Sequence, residues 1–80
     1  MERRHELRLP DLGIAPVTVS LWLVEPGSEV TEGDRVVEVL AGAATVDLPA
    51  PASGVLRETL VAEEDEIVTG QVLGVIEEEA

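Results

Sequence analysis

The sequence predicts an all-β domain folded as a sandwich or a flattened barrel. No segment keeps an apolar period of 3.6 over the ten or more residues that a helix needs. Short β-rich segments instead alternate with turns that contain glycine or proline, every few residues along the chain. The chain also carries an internal repeat with an offset of 37 residues. Residues 1–80 are expected to form one domain.

Four strands are predicted in the first half of the chain. The strand at 7–9 is followed by the turn signal Pro10-Asp11-Leu12-Gly13, and the strand at 17–24 by Glu25-Pro26-Gly27-Ser28. Apolar residues alternate along 17–24, which assigns one face of this strand to the core. That face holds Val17, Val19, Leu21 and Leu23. A short strand at 29–30, a turn at 31–34 and a strand at 36–41 complete this half.

A hairpin joins the two halves and is followed by the remaining strands. The runs 36–41 and 45–48 flank Gly42, which adopts positive φ without steric cost and so suits a hairpin tip. Pro49 and Pro51 are expected to end the second run, because proline cannot donate to a ladder. Strands at 55–61, 67–68 and 72–76 follow. The charged segments 1–6 and 77–80 are expected to fray.

The internal repeat predicts an approximate twofold axis. Matching positions are Leu23-Val24 with Leu60-Val61, Val30 with Ile67, Gly33 with Gly70, and Val39 with Ile76. Two such halves would each bury the apolar face of the other, which explains how a chain with one aromatic residue, Trp22, builds a core. The same symmetry places the tip at Gly42-Ala43 at one end and the chain termini at the other.

Composition excludes several function classes. The net charge of −12 repels nucleic acid and anionic membrane surfaces and favours a basic protein partner. The chain has no cysteine, one histidine, His5, and no apolar run that could span a bilayer, so a metal site or a membrane location is not expected, and the cytoplasm is the expected compartment. All five basic residues are arginine, so no lysine amine is available for amide-linked cofactors or Schiff bases.

The polar residues suggest no catalytic site, and the chain is not expected to be an enzyme. His5 lies in a charged segment, and Ser20 and Ser53 have no base nearby in sequence. The acidic run 63–66 lacks the spaced oxygen ligands of a calcium loop. Paired-carboxylate catalysis is not expected either, because the acids fall on turns and edges where nothing desolvates them.

Several motifs, in order along residues 6–77, resemble the lipoyl/biotinyl-attachment domain family, and within it the lipoyl domains of 2-oxo acid dehydrogenase acyltransferase subunits. They are Leu9-Pro10-Asp11-Leu12-Gly13, Trp22 with Pro26-Gly27 and Val30, Glu32-Gly33-Asp34, the run 36–40, Ala44-Thr45-Val46-Asp47-Leu48-Pro49-Ala50-Pro51, and Ser53-Gly54-Val55. The resemblance implies a flattened, hammerhead-type barrel of two four-stranded sheets related by a quasi-twofold axis, which agrees with the repeat.

The resemblance also implies an Asp-Lys-Ala tip whose lysine carries lipoyl or biotin. In this sequence those positions fall on Gly42, Ala43 and Ala44, so the sequence predicts that neither cofactor is attached. Two further departures accompany this one. The segment 14–16 replaces a loop about two residues longer that in the family lies beside the tip and helps the decarboxylase recognise the domain. Glu64 stands where the second half usually has glycine; a positive φ there would cost about 1 kcal/mol or more.

Three hypotheses follow. The main one is a non-catalytic module of lipoyl-domain fold that cannot be lipoylated or biotinylated and serves as a protein-interaction or structural piece. The alternative is a lipoyl carrier domain of a dihydrolipoyl acyltransferase in an inactivated or truncated form. The third is a hydrolase or metal protein with only a fold-level likeness, which would require a concave pocket with convergent polar groups.

Overall fold

The computed structural model describes residues 2–79 of the chain, which form eight strands. Their bounds are β1 Glu2–Arg8, β2 Val17–Trp22, β3 Glu29–Val30, β4 Arg35–Ala41, β5 Ala44–Pro49, β6 Gly54–Thr59, β7 Glu66–Ile67 and β8 Val72–Glu79. Glycine- and proline-containing turns separate most of them, as the sequence predicts. The described part of the chain contains no helix, and therefore none that could cross a membrane.

The strands form two four-stranded antiparallel sheets, which confirms the predicted fold class. One sheet has the order β1-β8-β6-β3 and the other the order β5-β4-β2-β7. The two orders are equivalent when β1 is matched with β5, β8 with β4, β6 with β2 and β3 with β7. Each sheet therefore takes its two central strands from one half of the chain and its two edge strands from the other half, so neither half completes a sheet alone.

Backbone hydrogen bonds outside the ladders repeat with the same offset. The Leu23 amide donates to the Val36 carbonyl at 2.9 Å, and the Leu60 amide donates to the Leu73 carbonyl at 2.8 Å. The Gly27 amide donates to the Leu56 carbonyl, and its counterpart at residue 64 donates to the Val19 carbonyl, both at 2.7 Å. The predicted quasi-twofold symmetry therefore extends to individual bonds.

The core between the sheets is built from aliphatic side chains. Its largest fully buried members are Leu9, Leu56, Leu73, Ile76, Val19, Val36, Val37 and Val39. Burial of each such side chain contributes about 1.5–3 kcal/mol, and no polar or charged side chain is buried among the described residues. Trp22 is half-buried against this core, and its indole Nε1 donates to the Val61 carbonyl at 2.9 Å, so its predicted packing role is confirmed.

The predicted facing of one strand is wrong. The register between β2 and β4 shifts between Val19 and Leu21, so a β-bulge interrupts the alternation. Val17 and Val19 face the core, but Leu21 and Leu23 are 45% and 41% exposed. Strict alternation would turn Leu21 and Leu23 toward the core, but Trp22 packs against the core instead. β6 carries the equivalent shift between Leu56 and Glu58.

The ends of the chain are paired and not frayed as predicted. β1 begins at residue 2 and pairs along its whole length with β8, which continues to residue 79. Side-chain contacts between strands accompany this pairing, with Arg57 Nε 3.4 Å from Glu77 Oε1 and a hydrogen bond between His5 Nε2 and Glu78 Oε1 at 3.0 Å. Strand pairing with a central strand therefore orders a charged segment that has no apolar pattern of its own. Met1 and Ala80 lie outside the described residues.

The backbone at Glu64 has a φ of +76°, the conformation that glycine has at the repeat-equivalent Gly27, where φ is +94°. An L-residue pays about 1–2 kcal/mol for this conformation. We expect Glu64→Gly to stabilise the fold by about 0.5–1 kcal/mol, since glycine recovers part of that cost while gaining freedom in the unfolded chain. A urea titration followed by Trp22 fluorescence measures the change.

The matched control for this prediction is Glu63→Gly, which removes the same charge from the neighbouring exposed position, where φ is negative. This variant should be destabilised by up to about 1 kcal/mol, because it adds only backbone entropy to the unfolded chain. If both variants shift the midpoint in the same direction, strain at Glu64 is not the cause.

Candidate functional site

The tip of the β4–β5 hairpin is a two-residue turn. The last ladder pair is Ala41 with Ala44, which leaves Gly42 and Ala43 as the connection. Gly42 has a φ of +62°, whereas Ala43 is not among the positive-φ residues. Positive φ at the first central residue alone is the signature of a type II′ turn, whose twist matches that of the flanking strands. The predicted tip and the role of its glycine are therefore confirmed.

A rigid base supports this exposed tip. Gly42, Ala43 and Ala44 are exposed, whereas Ala41 and Val39 below them are buried in the core. β4 lies between β5 and β2, so it is hydrogen-bonded on both sides up to the turn. A group attached at the tip would thus be held at the end of a sheet, away from the core.

The shortened loop lies against the tip. A Cβ built on Gly42 would stand 3.3 Å from Ile14 Cγ2, which is tighter than an ordinary van der Waals contact. Ile14 is 52% exposed, and the Ala15-Pro16 peptide bond that follows it is cis. The segments 14–16 and 42–44 thus lie side by side at Ile14 and Gly42.

Leu40 extends the apolar character of β4 toward the tip, a feature that the sequence interpretation did not single out. It is 39% exposed, lies opposite Thr18 and Thr45, and stands two residues before the turn. The alternation of β4 contains the signal, since Val37, Val39 and Ala41 are all buried and Leu40 must point away from the core.

The tip does not fit a side-chain amide linkage. The side chains of Gly42, Ala43 and Ala44 are a hydrogen atom and two methyl groups, so none offers a nitrogen. Charged groups of this sheet lie further down the hairpin, where Ser20 Oγ donates to Glu38 Oε2 at 3.1 Å and Arg35 Nη1 lies 3.7 Å from Asp47 Oδ2. No chemical step can be assigned to the tip residues themselves.

The other polar residues weighed from the sequence are held by structural partners. The Ser53 hydroxyl accepts from the Glu32 amide at 2.8 Å, and Asp65 Oδ2 accepts from the Ala62 amide at 2.8 Å within the acidic turn. His5 is half-buried, and its Nε2 lies 3.0 Å from Glu78 Oε1. Within residues 2–79, no three His, Asp or Glu side chains are placed to hold a metal ion.

A groove with a volume of about 550 Å³ lies along the edge of the β1-β8-β6-β3 sheet. Glu29, Thr31, Ser53, Glu77 and Glu78 contribute its polar groups. Three of these five groups have other partners, since Glu77 contacts Arg57, Glu78 contacts His5, and Ser53 bonds the backbone. The remaining carboxylate of Glu29 and hydroxyl of Thr31 do not make the convergent set of polar groups that the hydrolase hypothesis needs.

Comparison with known proteins identifies relatives for most of the chain. The family described as "Biotin-requiring enzyme" matches residues 5–76. The chain is 35% identical over 77 residues to the dihydrolipoyllysine-residue succinyltransferase component of the 2-oxoglutarate dehydrogenase complex of Bacillus subtilis, covering 94% of this chain and 18% of that protein. It is 32% identical over 72 residues to the acetyltransferase component of the pyruvate dehydrogenase complex of Haemophilus influenzae, covering 90% and 13%. The chain thus spans under a fifth of the length of either relative.

A solved structure agrees with these relatives. The lipoyl domain of the 2-oxoglutarate dehydrogenase complex from Azotobacter vinelandii superposes with a TM-score of 0.72 at 27% identity, covering 89% of this chain and 92% of that domain. The likeness therefore extends over an entire lipoyl domain and is not limited to the hairpin.

These comparisons correct the prediction about cofactors. The sequence predicts none, with lipoyl and biotin excluded by the absence of lysine. The matched family is described by its requirement for biotin, and both relatives are named for a dihydrolipoyllysine residue, so a covalently held cofactor belongs to the function of this domain type and the prediction is wrong. With its two-sheet fold, its two-residue tip and a match over residues 5–76, the chain belongs to the biotin/lipoyl domain family.

Proposed function

We propose that this chain is the lipoyl-type domain of an acyltransferase component of a 2-oxo acid dehydrogenase complex, in a form whose tip holds Ala43 at the lysine position. The observation that carries the proposal is the match over residues 5–76, together with the ladder that ends at Ala41 and Ala44 and leaves two residues exposed. The relatives are named as components of such complexes, which supports protein partners of that kind.

In this role the domain binds and presents but does not catalyse. The hairpin gives partner enzymes a narrow exposed tip, and the net charge of −12 steers it toward basic surfaces around their active sites. The small side chains at 42–44 allow close approach of a partner's backbone. Ile14 lies beside Gly42, since a Cβ built there would stand 3.3 Å from its Cγ2, so both segments face a partner together.

The experiment tests whether a lipoate ligase recognises this tip as the tip of a lipoyl domain. Ala43→Lys is the primary variant, because it leaves Gly42 with its positive φ and its close contact with Ile14. We expect the ligase to attach one lipoyl group to Lys at position 43, and intact mass together with peptide mapping detects it. Gly42→Asp combined with Ala43→Lys is the second variant and restores the family tip.

The matched control is Arg35→Lys, which adds a lysine at an exposed position on the same strand, away from the tip. It should stay unmodified because the ligase requires an amine at the turn. Efficient modification of both Ala43→Lys and Arg35→Lys would show that the ligase does not distinguish the tip from another exposed position. Refusal of both tip variants, with folding retained, would contradict the proposal.

A second candidate function is a protein-interaction or structural module of the same fold. The apolar surface formed by Ile14 and the tip favours it, since exposed apolar side chains at a protruding end suit a protein contact. A titration of the labelled chain with a purified 2-oxo acid decarboxylase separates the two candidates. Shifts confined to 14–16 and 42–44 that Ala43→Arg abolishes, in a chain whose tip variants the ligase refuses, would favour the interaction module without any carrier step.

A further inference from the structure

The edge strand β1 has the properties of an interface for a second copy of this chain. The two sheets have four edge strands, of which β3 and β7 contain two residues each. β5 ends in Pro49, which cannot donate to an added strand. β1 contains seven residues without proline, and its outer side has no strand paired to it. It is therefore the edge with the longest row of backbone groups free for a new ladder.

The direction of these backbone groups follows from bonds at the end of β1. The Leu9 amide donates to the Gln71 carbonyl at 3.0 Å, and the Leu9 carbonyl accepts from the Gly70 amide at 2.8 Å, so Leu9 faces the β8 side. The register shift between Leu7 and Arg8 leaves the extra residue, Leu73, on β8, so backbone groups still alternate along β1 and those of Leu7 and His5 also face β8. The amides and carbonyls of Arg4, Glu6 and Arg8 therefore point outward. An added antiparallel strand must pair through these even-numbered residues.

We propose that two copies of this chain pair through β1 as antiparallel strands, with His5 at the twofold axis. In that register Arg4 of one copy lies opposite Glu6 of the other, and symmetry supplies the pair twice. Directly opposed residues on an antiparallel ladder lie on one face with their Cβ atoms about 4.5–5.5 Å apart, which suits an arginine–carboxylate contact. The two four-stranded sheets would then join into a continuous eight-stranded sheet.

The neighbouring registers are unfavourable. If the twofold axis passes through Arg4, the Arg4 side chains of the two copies lie opposite each other. If it passes through Glu6, then Glu6 lies opposite Glu6 and Arg4 lies opposite Arg8. If the axis passes between two residues, the outward-pointing backbone groups of one copy lie opposite residues of the other copy whose backbone groups face β8. Among the registers centred on residues 4 to 6, only the His5-centred one opposes unlike charges at the outward-facing positions.

Self-association at β1 must overcome the net negative charge of the chain and the ion pairs that its side chains already make. Like copies with a charge of −12 repel each other, but three of the five arginines lie on β1, so repulsion is lowest at this edge. Arg4 already contacts Glu58 Oε1 at 2.6 Å, and Arg8 contacts Glu6 Oε1 at 2.6 Å. All four of these side chains are about half exposed, and pairs of this kind contribute little, so they exchange for intermolecular partners at small cost.

Sedimentation equilibrium of the whole chain tests the proposal, from about 10 µM to 1 mM in about 0.15 M salt, where repulsion beyond about 8 Å is screened. We expect a monomer–dimer equilibrium. Arg4→Glu should raise the dimer Kd by about tenfold or more, because it replaces two attractive contacts by two repulsive ones. Arg35→Glu makes the same charge change in the other sheet and should leave the dimer Kd within about threefold.

Glu6→Arg best separates the proposed register from non-specific association, since it makes the net charge less negative, from −12 to −10. Non-specific association would therefore strengthen, whereas the proposed register predicts weakening by about tenfold or more, because Arg4 then faces arginine. An equimolar mixture of the Arg4→Glu and Glu6→Arg variants should associate again, since every opposed pair in the mixed dimer is complementary. A wild-type chain that stays monomeric to 1 mM, or a dimer that both variants leave unchanged, overturns the proposal.

Discussion

Gly54→Ala should destabilise the fold by about 3 kcal/mol, the range expected when an atom is forced into a filled site. A Cβ at Gly54 would stand 2.3 Å from the Glu77 carbonyl oxygen and 2.8 Å from its carbonyl carbon. Both atoms belong to the backbone of β8, the strand that joins β1 to β6, so they cannot turn aside without breaking ladder bonds. A domain of 80 residues has a total stability of roughly 4–12 kcal/mol, so this loss is a large fraction. Urea denaturation followed by Trp22 fluorescence measures it.

The control for this variant is Gly27→Ala, where an added Cβ meets nothing within 4 Å but the φ is +94°. It should cost only about 1 kcal/mol, the conformational penalty alone. If Gly54→Ala costs no more than Gly27→Ala, the close approach of β6 to β8 at this point is not a constraint on the fold.

Leu56→Ala should destabilise the domain by about 2–5 kcal/mol, because it removes a fully buried side chain and leaves a cavity between the sheets. Leu56 lies on β6 opposite Ile76 of β8, and both side chains are 0% exposed. The core consists of aliphatic side chains from eight short strands, so the surrounding structure has little freedom to collapse into the gap. Thermal unfolding followed by far-UV circular dichroism reports the loss.

Leu60→Ala is the matched control, since it makes the same chemical change at a side chain that is 52% exposed. Its effect should stay within about 0.5 kcal/mol. Equal effects at Leu56 and Leu60 would contradict the assignment of Leu56 to the core.

The sequence carries most of the local information in this protein. The eight strands and their turns follow from short alternating runs broken by glycine and proline, and the repeat predicts the symmetry later seen in paired hydrogen bonds such as Leu23 to Val36 and Leu60 to Leu73. The hairpin tip at Gly42 and Ala43 is also local, because a turn of two residues depends on a glycine with positive φ. The family likeness rests on the same residues.

The position of the candidate site could be predicted from the sequence, but its relation to a cofactor could not. The residues 42–44 and 14–16 were singled out from sequence, and the contact between Ile14 and Gly42 brings them together. The assignment of Ala43 to the lysine position stays a prediction that the ligase experiment tests. The prediction of no cofactor, which rested on the absence of lysine, was wrong, because the matched family and the relatives are named for biotin and for a dihydrolipoyllysine residue.

By itself the sequence determined the all-β class, the approximate positions of β2 to β8, the twofold repeat and a lysine-free tip, because each of these depends on neighbouring residues and their periodicity. Only the tertiary structure decided that the bulge after Val19 turns Leu21 outward, that the charged segment from residue 2 to Arg8 forms an edge strand, and that Ile14 lies on the tip. These features depend on hydrogen bonds and contacts between residues far apart in the chain, and side-chain alternation contains no record of where a ladder gains an extra residue or which strand lies at an edge.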